Sequence, residues 1–113
     1  MNSIFVSISF FIASITILNN DINIGNILVG EKRLVTFKIR NNSKRPIKIY
    51  SVTSTCGCTI PAFPKELKAE SITDITAHFD SKGILGTIRK DLVLVIDDEK
   101  KFYKLSFSAK CIK

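Results

Sequence analysis

An all-β fold, built as one β-sandwich from about residue 21 to residue 113, is what this sequence predicts, and three observations predict it. Apolar residues recur at every second position in several stretches, which is the period of a strand with one buried and one wet face. Turn-forming residues punctuate those stretches at short, regular intervals. No stretch beyond Asn20 repeats apolar residues at three and four for more than one turn, so helices are not expected. Strands at short intervals with polar turns and no helices argue for a sandwich or barrel.

The first twenty residues, MNSIFVSISFFIASITILNN, carry no charge, and their apolar run extends from Ile4 to Leu18. A membrane-spanning helix needs about 20 apolar residues. The run is shorter and matches the apolar part of a signal peptide, so residues 1–20 are assigned to an export signal, or to a membrane tether through residues 4–18. No Lys or Arg precedes the run and no Ala-x-Ala site precedes Asn19. Ile, Phe, Val and Thr are also strand formers, which leaves an N-terminal strand pair as the alternative.

Beyond it, Val35, Phe37 and Ile39 alternate with Thr36, Lys38 and Arg40. Ile47 and Ile49 start another strand that must change phase to bury Val52, which predicts a bulge near Ser51. Ile75, Ala77 and Phe79 alternate with Thr76 and His78. The continuous run Leu92 to Ile96 reads as a strand covered on both sides or packed under a loop. Finally Tyr103, Leu105, Phe107, Ala109 and Cys111 alternate with Lys104, Ser106, Ser108 and Lys110, which turns Cys111 inward as a small hydrophobe. Turns fall at Asn41-Asn42-Ser43, Arg45-Pro46, Ser81-Lys82-Gly83, Gly86 and the charged run Asp97 to Lys101. The first of these also fits a glycosylation sequon, but the same residue types are wanted by a turn. The expected core is Phe37, Ile39, Ile49, Val52, Phe79, Leu92, Leu94, Leu105 and Phe107.

A chain of 113 residues supports one core, and 45% hydrophobic content excludes a disordered chain. Every Lys and Arg lies at or beyond Lys32, so the net charge of +7 belongs to the sandwich. The basic residues are spread singly among apolar and acidic ones, as in Phe37-Lys38-Ile39-Arg40, rather than gathered in the stripe a nucleic acid would need. Nucleic acid is therefore not an expected partner; the charge reads as a solvated basic face that aids solubility and can attract anionic surfaces.

One motif has distinctive chemistry: Thr55-Cys56-Gly57-Cys58-Thr59. Two thiols separated by a glycine can bind a soft metal such as Cu(I), close a disulfide or act as a redox pair, and the glycine frees the backbone for any of these. The four ligands of a structural zinc site are lacking. The loop should stand open to solvent just past a strand end, because Gly57, Pro61 and Pro64 stop regular pairing. Disulfide geometry is demanding at this spacing, so the pair is expected to be labile, either reduced or partly oxidised, and not to pair with Cys111.

Several of these segments together resemble the DUF1573 family of bacterial envelope-associated domains. They are Ile24-Gly25-Asn26-Ile27 with Gly30-Glu31, Phe37-Lys38-Ile39-Arg40-Asn41, Pro46-Ile47-Lys48-Ile49, Cys56-Gly57-Cys58-Thr59, and Phe79-Asp80 with Gly86 and Lys90. The family's Leu-x-Pro-Gly-Glu-like turn is replaced here by Leu67-Lys68-Ala69-Glu70-Ser71, without its Pro and Gly. The resemblance implies an immunoglobulin-like, PapD-like antiparallel sandwich of about seven strands and a place in the periplasm or cell envelope. It implies no activity.

An enzyme would need a nucleophile, acid or base held by partners. His78 is the lone His and falls on the polar face of its strand, while Asp97, Asp98 and Glu99 read as a charged turn. The expectation is therefore a non-catalytic binding or structural module of the bacterial envelope, without cofactor, whose partner is another envelope protein. Its working surface would be a strand edge or the loop Cys56, Gly57, Cys58, Thr59. The alternative from another class is metal (copper) binding or redox chemistry through Cys56 and Cys58.

Overall fold

The computed structural model describes residues 14–96 and 101–113. Nine strands form among them: β1 (Ile15–Ile17), β2 (Asp21–Leu28), β3 (Lys32–Asn41), β4 (Ile47–Ser54), β5 (Thr59–Ala62), β6 (Glu66–Leu67), β7 (Ile72–Asp80), β8 (Gly86–Ile96) and β9 (Lys101–Ile112). They build a four-stranded sheet in the order β1-β3-β7-β5 and a five-stranded sheet in the order β2-β9-β8-β4-β6. The excess over the expected seven comes from the very short β1 and β6.

Alternation places the core where the period-two pattern put it. Phe37, Ile39, Ile49, Val52, Phe79, Leu92, Leu94, Leu105 and Phe107 are all buried, and Cys111 with them. Phe79 from one sheet meets Phe107 from the other edge-to-face, with ring centroids 5.3 Å apart and planes at 67°. The phase change in β4 is present as well: register slips between Ile49 and Ser51 against β8, Tyr50 is turned out to solvent, and Val52 points inward. A second slip falls in β2 between Asn23 and Asn26. Gly25 there has φ 78°, its N–H accepted by the Asn23 side chain at 2.9 Å, and the slip lets Ile27 reach the core.

Three expectations are corrected. The boundary at residues 20 and 21 is too late: Ile15 is buried and β1 pairs antiparallel with β3, Ile15 opposite Asn41 and Ile17 opposite Ile39. The Asn19 carboxamide then extends this ladder in place of a peptide group, accepting the Lys38 N–H at 2.7 Å and donating to the Thr36 carbonyl at 3.1 Å. The apolar run therefore ends as a strand, and whatever residues 1–13 do in export or tethering lies outside the described residues. The sandwich is also not purely antiparallel, because β2 runs parallel to β9. Finally, β8 is covered on one face only: Leu92, Leu94 and Ile96 are buried, while Val93 and Val95 lie half-buried beside exposed Tyr50 and Phe102.

The Asn41 turn is built as a turn. Its side chain is fully buried and donates to the carbonyls of Arg45 (2.9 Å) and Leu67 (3.0 Å), while accepting the Ser43 N–H at 2.9 Å. A buried, fully engaged carboxamide is closed to glycosylation in the folded protein. The charged tip between β8 and β9, residues 97–100, lies outside the described residues. In the turn after β6, Glu70 takes φ 52°, at the position where the family's turn carries glycine.

Candidate functional site

The Cys56–Thr59 motif stands where the chain changes sheets. β4 belongs to the five-stranded sheet and β5 to the four-stranded one, so residues 55–58 form the corner between them. Short hydrogen bonds fold that corner tightly. The Ser54 hydroxyl accepts the Cys56 N–H at 3.1 Å and donates to the Cys56 carbonyl at 3.0 Å, and that carbonyl also accepts the Thr59 N–H at 3.2 Å. Asp80 N–H then donates to the Cys58 carbonyl at 2.9 Å, which locks the far end onto β7.

This corner brings the Cα atoms of Cys56 and Cys58 to 5.3 Å, and the two sulfurs are joined as a disulfide. The expectation of a reduced or partly oxidised pair is corrected to that extent: the turn supplies a separation inside the usual span of about 4.4–6.8 Å. Gly57 is not what permits it, since its φ lies outside the left-handed region and open space surrounds the place of a Cβ. Both cysteines are half-buried, and Cys111 is buried and unpaired. In the bonded state neither motif sulfur is a thiolate, the form in which cysteine binds metal. Among the described residues no group of three or more His, Cys, Asp and Glu side chains converges as a metal site.

The sheet edge next to the motif is a poor template for an added strand. Because Asp80 N–H bonds the Cys58 carbonyl, alternation along the β5–β7 ladder turns the backbone groups of Thr59 and Pro61 away from β7. The Thr59 N–H is taken by Cys56, and Pro61 has none. The outer edge of β5 thus offers carbonyls and no N–H at these two positions.

A groove on the outer face of the four-stranded sheet is better placed. Cross-strand register sets Leu34, His78 and Ile60 in one row across β3, β7 and β5. Lys32 and Asp80 form the next row, which Cys58 continues through its bond to Asp80. Around these rows lies an open depression of about 730 Å³, walled by Gly57, Cys58, Arg33 and Lys82. Its floor is apolar, with Leu34 57% and Ile60 64% exposed. Its rim carries an excess of positive charge: Asp80 is its one lining carboxylate, Arg33 pairs with Glu31, and no ion pair among the described residues engages Lys32 or Lys82. The Arg33 guanidinium, then the Leu28 N–H, hold the Glu31 carboxyl below its ordinary range.

Sequence reasoning found the disulfide end of this groove and missed the rest. It read His78 as a surface residue, which it is, without its neighbours. The signal available was phase: Leu34 and Ile60 are apolar residues standing next to the inward Val35 and Thr59, on the face that should be wet.

These features define a two-sheet sandwich module of the immunoglobulin-like, PapD-like class with a basic, apolar-floored groove beside a disulfide corner. The chain belongs to the DUF1573 family, described as a protein of unknown function, whose profile matches residues 15–111. No curated protein sequence matches it. Among solved structures, a protein of unknown function from Porphyromonas gingivalis W83 superposes with TM-score 0.73 at 19% identity, over 85% of this chain and 46% of that one. This chain thus spans about half the length of that relative. The human CEP192 ASH/PapD-like domain 7 superposes with TM-score 0.73 at 14% identity, over 96% and 98% of the two chains. The Vibrio cholerae VesB protease does so with TM-score 0.69 at 11% identity, over 86% of this chain and 32% of that one. At these identities the likeness is one of fold.

Proposed function

We propose that this chain is a non-catalytic binding module of the bacterial cell envelope that captures an extended segment of another envelope protein in the groove beside Cys56–Thr59. The observation that carries the reading is the row Leu34–His78–Ile60, whose two apolar side chains are left open to solvent, with Lys32, Asp80 and Lys82 along one side of it. An apolar floor with a few placed polar groups is how binding sites combine affinity with orientation. A photo-crosslinking residue in place of Ile60 should capture a discrete partner in envelope fractions, and one in place of Thr87 on the five-stranded sheet should not. Substituting Leu34→Asp should abolish the Ile60 adduct while leaving the melt intact. Equal capture from both positions would refute the groove as the working surface.

A second reading, redox or copper chemistry through Cys56 and Cys58, is favoured by the bonded, half-buried pair at the groove's end. The bond supports the redox form over the metal form.

A further inference from the structure

We infer that the Cys56–Cys58 disulfide is a directional exchange site: a cysteine thiolate carried on an acidic segment in the groove attacks Cys58 Sγ, and Cys56 is the leaving sulfur. The inference rests on the groove being the docking site. Two independent observations set the direction. Cys58 and Gly57 line the groove and Cys56 does not, so a thiol arriving along the floor meets Cys58. Moreover, the Cys58 N–H points at Cys56 Sγ at 3.2 Å, a donor already aimed at the atom that would receive the negative charge. Exchange is faster when the departing thiolate is stabilised.

The step balances without any further reagent. The partner's thiolate forms a new S–S bond to Cys58 as the Cys56–Cys58 bond breaks, and the electron pair of that bond goes to Cys56 Sγ, held by the Cys58 N–H. A partner with a second thiol, once deprotonated, attacks its own sulfur of the mixed disulfide. That closes the partner's disulfide and expels Cys58 as a thiolate. The partner dithiol is oxidised by two electrons and the Cys56/Cys58 pair is reduced. Cys111, buried in the core and unpaired, takes no part.

The partner's chemistry follows from the rim. Lys32 and Lys82 line the approach with no ion pair of their own among the described residues, against one lining carboxylate, Asp80, while the charge of Arg33 is taken by Glu31. A cysteine flanked by Glu or Asp is therefore favoured over one flanked by Lys. An excess of one sign at a cleft raises the encounter rate of opposite charges, up to about tenfold or more, and salt screens the effect.

The full chain with its disulfide intact is mixed with short single-cysteine peptides, flanked either by Glu or by Lys, and acid-quenched over a time course. Remaining thiols are alkylated, and fragmentation between Cys56 and Cys58 locates the peptide adduct. The adduct should sit on Cys58 with Cys56 alkylated. The Glu peptide should react about tenfold faster at low salt, with the gap closing at high salt, and the double variant Lys32→Glu, Lys82→Glu, checked for an unchanged melt, should reverse the preference. Adducts on Cys56 or divided evenly, or equal rates for the two peptides, would overturn the inference. A Glu peptide with Ser in place of Cys separates the two readings. If it binds at Leu34, Ile60 and His78 while its Cys counterpart does not exchange, the exchange site is refuted and the binding groove stands. If neither binds nor exchanges, both fail.

Discussion

Substituting Ile15→Ala tests whether the apolar N-terminal run enters the fold as a strand. Ile15 is 3% exposed and packs with the main core cluster. The change removes three buried carbons, which at about 0.8 kcal/mol each amounts to about 2.4 kcal/mol. A residual cavity would add to this. Because β1 is three residues long and lies at the sheet edge, its surroundings can collapse into the space, so a total of about 2–3 kcal/mol is expected, near the low end for Ile→Ala. Leu18→Ala provides the control, since Leu18 is 49% exposed and should change stability by no more than about 0.5 kcal/mol. Urea unfolding of the full chain followed by circular dichroism reads the difference. With a slope of about 1.5 kcal/mol per molar, the midpoint should fall by about 1.3–2 M for Ile15→Ala and hold for Leu18→Ala. An unchanged midpoint for Ile15→Ala would show that β1 is no part of the cooperative core and would restore a boundary near residue 21.

Phe107→Ala should cost about 3–5 kcal/mol in the same assay, and a double-mutant cycle with Phe79→Ala should recover a coupling of about 0.5–1.5 kcal/mol from the edge-to-face pair. Glu70→Gly should stabilise the protein by up to about 1 kcal/mol, because glycine takes φ 52° without the strain glutamate bears there; a lower melting temperature would contradict it. Thiol titration should find no reactive thiol in the native oxidised protein, one on denaturation and three on denaturation with reductant; a native reactive thiol would place Cys111 outside the core.

The fold was legible because burial and alternation are the same fact in a sandwich. Phe37, Phe79 and Phe107 could be assigned to the core from their neighbours alone, and even the bulge near Ser51 followed from the clash of phase between Ile49 and Val52. What could not be read was long-range. Nothing local distinguishes Ile15–Ile17 inside an uncharged run from the rest of that run; its identity as a strand depends on pairing with residues 39–41. The groove was hidden for the same reason, since Leu34, His78 and Ile60 share a row only after three strands fix their register. The disulfide depended on a turn whose hydrogen bonds, from Ser54 and Thr59 to Cys56, leave no periodic trace in the sequence.

The parallel pairing of β2 with β9 also sets a timetable for folding. β9 lies between β2 and β8 in the larger sheet, so Asp21 waits for Ser106 and Ile27 for Cys111 before either finds its neighbour. Strands that close such distant pairs fold slowly, since the entropy of bringing them together is spent before any contact returns it. On a ribosome supplying about 5–20 residues per second, β2 therefore remains without its native neighbour until β9 has emerged. During that interval the apolar face of β2 stays uncovered, open to the strands of other nascent chains.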